Sequence, residues 1–216
     1  FIILFIMNRI RITFSKFDNA IWIGNLDLHR MWARVFRRNG MPIAYSQGFN
    51  PQPRIQFASA LPLGLISKCE ILDVWLTEYM SVDEIKVCLL DSLPRGIEIN
   101  DIKIVDLKEK SLQSQLSSVE YSVYLNGSIK KSDLLNCVRV FMVRDHIQRK
   151  LRGKKYDLRP LVESLVVNGC NDSLILVMRL TSKPGKTGRA DEVLDELGIN
   201  SKNIVRSGLF FVDNDE

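Results

Sequence analysis

Residues 26–64 read LDLHRMWARVFRRNGMPIAYSQGFNPQPRIQFASALPLG, a pattern that predicts a helix, a stiff loop and a strand in that order. In a helix over residues 26–39, the apolar side chains share one face and the arginines share the other. The apolar residues are Leu28, Met31, Trp32, Val35 and Phe36, and the arginines are Arg30, Arg34, Arg37 and Arg38. Asn25 is a candidate N-cap, and Gly40 is placed to end the helix in a left-handed conformation. We therefore expect this helix to pack on a core and to present a positively charged outer face.

The loop after this helix combines a stiff backbone with aromatic and hydrogen-bonding side chains. Residues 44–54 read AYSQGFNPQPR, and their candidate contact residues are Tyr45, Gln47, Phe49, Asn50 and Arg54. Aromatic rings stack on unpaired bases, side-chain amides bind base edges, and arginine forks bind phosphates. Together with the arginine helix, the loop predicts an RNA-binding surface. The alternative is that Tyr45 and Phe49 fill an interface between domains and that the prolines only stiffen the loop.

One order of elements repeats along the chain. The first half predicts strands at 9–15, 54–60, 70–77 and 97–107, with helices at 26–39 and 82–93. The second half predicts strands at 119–125, 161–168, 174–181 and 203–212, with helices at 132–144 and 190–197. Two β-α-β-β-α-β halves predict an α+β protein of two tandem ferredoxin-like domains with antiparallel sheets. We place these domains at residues 7–107 and 119–216, joined by a polar linker at 108–118.

Each predicted sheet has one face that no helix covers. In the first half, Arg9, Arg11 and Trp75 are expected on that face, where RNA-recognition folds carry stacking aromatics. The alternative for Trp75 is packing against the second domain.

Charge is concentrated in blocks, although the 216-residue chain carries a net charge of only +5. Residues 9–54 hold eight Lys and Arg against two Asp and Glu, and residues 139–159 repeat this ratio. Such blocks create a local positive potential that attracts polyanions. No apolar segment approaches transmembrane length, which predicts a cytoplasmic protein. Residues 1–6 are apolar and precede Met7, which we take as the native start.

The cysteines and histidines do not form a metal-binding pattern. The chain has four separated cysteines and two histidines: Cys69, Cys88, Cys137, Cys170, His29 and His146. Metal sites need ligands at close, regular spacing, and neither Cys-x-x-Cys nor paired histidines occur. We therefore expect Cys69, Cys88 and Cys137 to be buried and reduced, and we expect neither a metal nor another cofactor.

Two further basic segments lie in the second half. Residues 181–189 read TSKPGKTGR, directly before a predicted helix, and their cations are Lys183, Lys186 and Arg189. Glycines and free amides at such a position suit a phosphate, although the spacing differs from that of a Walker loop. Residues 149–155 read RKLRGKK, the composition of a basic loop that either contacts a nucleic-acid backbone or is simply solvated.

Several motifs resemble a known bacterial family. They are residues 25–28 (NLDL), 37–40 (RRNG), 44–55 (AYSQGFNPQPRI), 57–64 (FASALPLG), Glu70 with Asp73, and 155–160 (KYDLRP). They are similar to the radical-SAM-linked family, a domain of unknown function encoded beside or fused to cobalamin-binding radical SAM proteins. The resemblance implies a radical SAM protein as partner, in the same chain or separate. Asn25 departs from the family pattern, which often has His there.

These observations predict a non-catalytic accessory module that binds tRNA or rRNA and presents it to a radical SAM enzyme for modification. The chain lacks the Cys-x-x-x-Cys-x-x-Cys signature, so it does not hold that enzyme's cluster itself. A protein-docking module without RNA contact is one alternative. A metal-independent endoribonuclease is another, with His29 or Tyr45 as acid or base beside Arg30 and Lys186.

Overall fold

The structure is a computed structural model that describes residues 8–90, 92–125, 129–151, 153–170, 173–201 and 203–212. The chain divides into two units between Gln115 and Leu116. Each unit holds an antiparallel sheet with few helices, which confirms the predicted α+β class. The expected native start at Met7 lies outside the described residues. The predicted linker at 108–118 contains a short helix and the start of a strand.

The first unit follows the order strand, helix, strand, strand, helix, strand. Its elements are β1 (Asn8–Lys16), α1 (Asn25–Arg38), β2 (Ile55–Phe57), β3 (Ile66–Leu76), α2 (Val82–Leu89), β4 (Ile97–Val105) and the short α3 (Leu112–Gln115). Strand β1 pairs with β3 and β4, and β2 pairs with β3, all antiparallel. The strands therefore lie in the order β4-β1-β3-β2.

Alternation along β1 builds the core of this unit. Ile10, Ile12 and Phe14 are fully buried, and α1 adds the buried rings of Trp32 and Phe36. The Phe14 and Trp32 ring centroids are 5.1 Å apart in an edge-to-face arrangement, which adds directional contact to apolar burial.

The predicted C-terminal end of α1 is confirmed, whereas its predicted N-cap is wrong. Gly40 follows the helix with φ +65°, the left-handed conformation expected of a terminating glycine. The expected Asn25 cap is wrong, because Gly24 occupies the N-cap and Asn25 is the first helical residue. At α2, Ser81 and Glu84 form a capping box.

The face of β1 opposite the core is not free, contrary to the expectation for Arg9 and Arg11. Arg9 Nε donates to Asp73 Oδ2 at 2.8 Å, and Arg11 Nε donates to Asp73 Oδ1 at 2.8 Å. Arg9 also donates to the Glu109 carbonyl at 2.6 Å, and Arg11 to the Glu109 carboxylate at 2.9 Å. Arg9 and Asp73 are 1% and 0% exposed, so this is a buried ion network.

The second unit repeats this order with additions. Its elements are β5 (Leu116–Leu125), α4 (Lys131–Met142), β6 (Gln148–Leu151), β7 (Lys154–Asp157), β8 (Val162–Cys170), β9 (Ser173–Lys183), β10 (Lys186–Thr187), α5 (Ala190–Glu196) and β11 (Ile204–Phe211). Strand β5 pairs with β9 and β11, and β8 pairs with β9, all antiparallel. The β8–β9 pairing joins the strands predicted at 161–168 and 174–181 into a hairpin. Asn171 and Asp172 lie outside the described residues.

The predicted basic loop at 149–155 is instead the hairpin β6–β7, with Arg152 outside the described residues. Arg149 Nε donates to Glu192 Oε2 at 2.8 Å and Nη1 donates to Glu196 Oε2 at 3.1 Å, while Nη2 binds Asp195. These carboxylates all lie on α5. The prediction is therefore wrong for Arg149, which fastens the hairpin to α5 and is not free to meet a nucleic acid.

Asp157 anchors the end of the same hairpin. Its carboxylate accepts from the Ile147 amide at 2.8 Å, the Arg159 amide at 3.1 Å and His146 Nδ1 at 2.6 Å. The hydrogen bond and charge of Asp157 raise the pKa of His146 above 6.5. The same bond, then the Ile147 amide, lowers the pKa of Asp157 below 3.8.

Replacing Asp73 with Ala should reduce the free energy of unfolding of the first unit by about 3–5 kcal/mol, because two guanidiniums lose their shared carboxylate inside the protein. Urea unfolding followed by tryptophan fluorescence measures this unit, since Trp22, Trp32 and Trp75 all lie in it. Arg30→Ala is the control. Its pair with Asp27 is 3.2 Å long and 68% exposed on the arginine side, so its loss should cost about 0.5 kcal/mol or less. Equal losses would contradict the buried network.

Replacing His146 with Ala should destabilise the protein in a pH-dependent way. The raised pKa of His146 means that its contribution is full below pH 6.5 and disappears as the pH rises through the folded-state value. The lowered pKa of Asp157 means that the pair also weakens as the pH falls through a value below 3.8. Calorimetric melting temperatures of wild type and variant should differ most near pH 5 and converge in alkali. Gln148→Ala, on the same hairpin, should show no such trend; a difference independent of pH for His146→Ala would argue against the pair.

Candidate nucleic-acid interface

Helix α1 places the four predicted arginines on its solvent side, because Leu28, Trp32, Val35 and Phe36 bury the other. Arg30, Arg34, Arg37 and Arg38 are all exposed. Arg30 pairs with Asp27, and Arg37 Nε donates to the Ala33 carbonyl at 3.3 Å. Arg34 and Arg38, one helical turn apart, have no carboxylate within ion-pairing distance among the residues that the structure describes. Their guanidiniums therefore remain available to an external anion.

The loop at 44–54 is closed at its base by backbone hydrogen bonds. The Arg54 amide donates to the Ala44 carbonyl at 2.8 Å, and the Ser46 amide donates to the Gln52 carbonyl at 2.8 Å. Gln52 donates back to Ser46 Oγ at 2.9 Å. The Ala44 amide reaches the Trp75 carbonyl at 2.7 Å and ties the loop to β3. These bonds leave residues 47–51 as a projecting tip.

The tip exposes most of the predicted contact residues. Gln47 and Asn50 are exposed, and Phe49 is 112% exposed, so its whole ring lies in solvent. Gly48 allows the chain to turn there with φ +127°. Tyr45 differs from them, because it is half-buried and packs against the core of the first unit. Its ring is therefore partly structural, and the loop's free aromatic surface is that of Phe49.

Trp75 holds two guanidiniums against its ring. Arg9 Cζ lies 4.9 Å and Arg54 Cζ lies 5.0 Å from the ring centroid. Arg9 faces Trp75 across β1 and β3, and the Trp75 amide donates to the Arg54 carbonyl at 3.2 Å, so the three residues are neighbours across the sheet. Cation–π contact orients Arg54, which stays exposed at the base of the loop. Neither use expected for Trp75 included this contact.

His29 is held in a structural position. Its Nε2 lies 3.3 Å from the Ile55 carbonyl, and its ring centroid lies 6.2 Å from that of Phe57. One ring nitrogen is thus already engaged by the backbone of β2. This arrangement does not favour the acid–base role considered for the endoribonuclease alternative.

The glycine-rich segment at 181–189 is a β-hairpin turn. Lys183 pairs with Lys186 across it, and Gly185 has φ +75°. The Gly188 amide donates to the Thr181 carbonyl at 2.8 Å, so the expectation of a free anion-binding amide is wrong there. A Cβ on Gly188 would lie 2.7 Å from the Leu161 carbonyl oxygen, which explains the glycine by close packing.

The cations of this segment are not equivalent. Lys183 and Lys186 are exposed. Arg189 Nε donates to Asp191 at 3.1 Å, and this bond, against some desolvation, raises the pKa of Arg189. Lys186 and Arg189 line one cleft, whereas Lys183 does not.

That cleft was not predicted as a site. It has a volume of about 650 Å³, and its lining includes Lys154, Tyr156, Asp157, Pro160, Lys186 and Arg189. Burial, then the Glu192 carboxylate, raises the pKa of the Tyr156 phenol. The sequence signal was the KYDLRP motif at 155–160, which the resemblance singled out without assigning it a role. Arg159 of that motif is structural, since it donates to the Met142 and Val162 carbonyls at 3.0 Å.

The described part of the chain contains no group of three or more His, Cys, Asp or Glu side chains placed to hold a metal ion. Cys69, Cys88 and Cys137 are half-buried and Cys170 is exposed, all as free thiols. Within the same residues, no helix has both the length and the apolar character needed to span a membrane.

Solved structures show what the fold is similar to. A chain of a Cbf5–Nop10–Gar1 complex matches with a TM-score of 0.50 at 8% identity, covering 91% of this chain. The match spans 48% of that chain, and at this identity it concerns the fold alone. The first two RRM domains of yeast poly(U)-binding protein Pub1 match at 11% identity over 94% of this chain and 98% of theirs. Their TM-score of 0.23 is too low to support an inference about fold.

The sequence comparisons identify a family. No curated protein matches the chain. The model of the family described as "Uncharacterized protein conserved in bacteria (DUF2344)" matches residues 9–192, and the chain therefore belongs to this bacterial family.

Proposed function

We propose that this chain is a non-catalytic accessory module that binds tRNA or rRNA and presents it to a radical SAM enzyme for modification. The observation that carries the proposal is the pair of free guanidiniums on α1, Arg34 and Arg38, on a helix that leads into a closed loop with an exposed aromatic tip. A cation without an internal carboxylate contributes little to the fold, whereas it binds a phosphate strongly.

The dimensions of the arginine face suit a nucleic-acid strand. Arg30 and Arg38 are eight residues apart, which corresponds to about 12 Å along a helix axis. A strand within a duplex carries one phosphate per about 3.4 Å of its axis, so the face spans about three phosphates. Guanidiniums bind such oxygens in a bidentate manner, which a lysine ammonium does not.

The loop favours unpaired over paired bases. The Phe49 ring can stack only on a base that has left a duplex, and Gln47 and Asn50 offer amides to exposed base edges. Arg54, oriented by Trp75, supplies a phosphate contact at the base of the same loop. A single-stranded loop of a structured RNA offers all three partners.

The strand orders support the interpretation of both units as ferredoxin-like. The strand order of the first unit is β4-β1-β3-β2. The order of the second unit is β11-β5-β9-β8 when its added strands are set aside, and the two orders correspond strand by strand. RNA-recognition modules with this topology bind on the open sheet face. In the first unit that face carries the Arg9–Asp73 network, so we place RNA on α1 and the loop.

The proposal of a radical SAM partner rests on the motif resemblance alone. Lys183, Lys186 and Arg189 would give RNA a second anchor, with Lys183 and Lys186 the better candidates because Arg189 already pairs with Asp191.

The variant Arg34→Ala, Arg37→Ala, Arg38→Ala should weaken binding of total tRNA or rRNA fragments by about tenfold or more and flatten the salt dependence by about two to three units of log–log slope. Filter binding at low and physiological salt measures both. The control Lys68→Ala, Lys86→Ala, Lys103→Ala removes the same charge from exposed positions of the same unit and should have little effect.

The outcomes of this titration separate the alternatives. If both triple variants lose the same RNA affinity, the arginine face contributes only its net charge and is not a specific binding site. If wild type binds no RNA at low salt but the arginine variant loses a radical SAM partner, the protein-docking alternative holds. Cleavage of the RNA by wild type would instead favour the endoribonuclease.

Phe49→Ala should weaken binding to single-stranded RNA by about five- to one-hundredfold, the loss expected for one stacked base. The melting temperature should not change, because the ring is 112% exposed. Tyr79→Ala, an aromatic of the same unit that is 63% exposed, is the matched control and should bind as wild type does. An unchanged affinity for Phe49→Ala would exclude the tip from the interface.

A further inference from the structure

The geometry points to a separate ligand site in the cleft beside the β6–β7 hairpin. We propose that this cleft binds the terminal phosphomonoester of a nucleotide, either a free nucleotide or the end of an RNA strand. It shares Lys186 and Arg189 with the proposed second anchor, but it requires no RNA binding by the first unit.

The cleft has the size and lining of a small-molecule site. Its volume of about 650 Å³ lies inside the usual range of about 300–1,000 Å³ for ligand pockets. Leu151, Pro160 and Leu161 give it an apolar wall, and Tyr156 adds an aromatic ring. Such a surface suits a planar base better than it suits a phosphate alone.

The polar groups of the cleft favour an anion. Lys154 and Lys186 are exposed and, among the described residues, have no carboxylate within ion-pairing distance. The carboxylate that lines the cleft, Asp157, already accepts three hydrogen bonds, so it is turned to its own hairpin. Two free ammonium groups match the double charge of a phosphomonoester better than the single charge of a backbone phosphodiester.

The cleft is also preformed. Arg149 holds the hairpin that carries Lys154 against α5 through Glu192 and Glu196. The turn that carries Lys186 is fixed by its pairing with Lys183 and by the Gly188 amide. Both cations therefore stand on β-hairpins tied to the rest of the unit, so binding does not require the ordering of a loop.

The test is isothermal titration calorimetry of the full chain with adenosine 5′-monophosphate, adenosine and inorganic phosphate. We expect saturable binding of the nucleotide, with adenosine and phosphate each weaker by about tenfold or more. Lys154→Glu with Lys186→Glu should weaken nucleotide binding at least about tenfold. The control pair, Lys130→Glu with Lys155→Glu, changes exposed lysines of the same unit that do not line the cleft and should leave binding unchanged.

Three results would overturn the proposal: no nucleotide binding up to about 10 mM, adenosine binding as well as its monophosphate, or equal losses in the two lysine pairs. The two sources are distinguished by oligoribonucleotides with a 5′-phosphate or a 5′-hydroxyl, titrated in the Arg34→Ala, Arg37→Ala, Arg38→Ala background. If the oligoribonucleotide with a 5′-phosphate binds more tightly than both its 5′-hydroxyl counterpart and the free nucleotide, the ligand is an RNA terminus. Otherwise the ligand is the free nucleotide. In that background the cleft is tested whether or not the first unit binds RNA.

Discussion

The buried carboxylate of Asp73 is the interaction on which the first unit's surface depends. It neutralises Arg9 and Arg11 inside the protein, and Arg9 in turn lies over Trp75. Trp75 orients Arg54 at the base of the exposed loop. A charge that is fully enclosed by protein therefore sets the position of a charge that is open to solvent. Because burying an unpaired guanidinium is strongly unfavourable, the positions of Arg9, Trp75 and Arg54 all depend on the Asp73 carboxylate in β3.

Arginines of the same chain serve opposite purposes, and the difference comes from distant carboxylates. Arg149 is saturated by acidic residues on α5, more than forty positions later in the sequence. Arg34 and Arg38 lie on a helix whose one nearby acidic residue, Asp27, is taken by Arg30. Guanidiniums that form ion pairs within the protein stabilise the fold. Guanidiniums without such a pair remain able to bind an external anion.

The sequence was most informative where contacts are local. The apolar face of α1 and the left-handed Gly40 depend on residues within one or two helical turns, and both were predicted. The same holds for the arginine face, because helical periodicity alone fixes which side chains share a side.

Predictions failed where the deciding partner is remote in sequence. The β6–β7 hairpin looked like a basic loop because its counter-charges lie on α5, and Arg9 looked exposed because Asp73 is sixty-four residues away. The cleft could not be derived from any single segment, since its cations come from two hairpins, although residues 155–160 marked one side of it. The glycine-rich segment that contains Gly188 was predicted to bind phosphate, but Gly188 is instead explained by close packing against the Leu161 carbonyl.

The hydrogen bonds at the base of the 44–54 loop affect the association rate of any partner that binds Phe49, and exposure of the Phe49 ring affects the heat-capacity change of that binding. Because the loop is already ordered, its conformational entropy is lost during folding and not at the moment of encounter. Phe49 meanwhile keeps a full shell of hydrating water, whose release on contact would appear as a negative change in heat capacity. The loop would therefore engage its partner in one step, at a rate set by diffusion and charge, without waiting for the chain to rearrange.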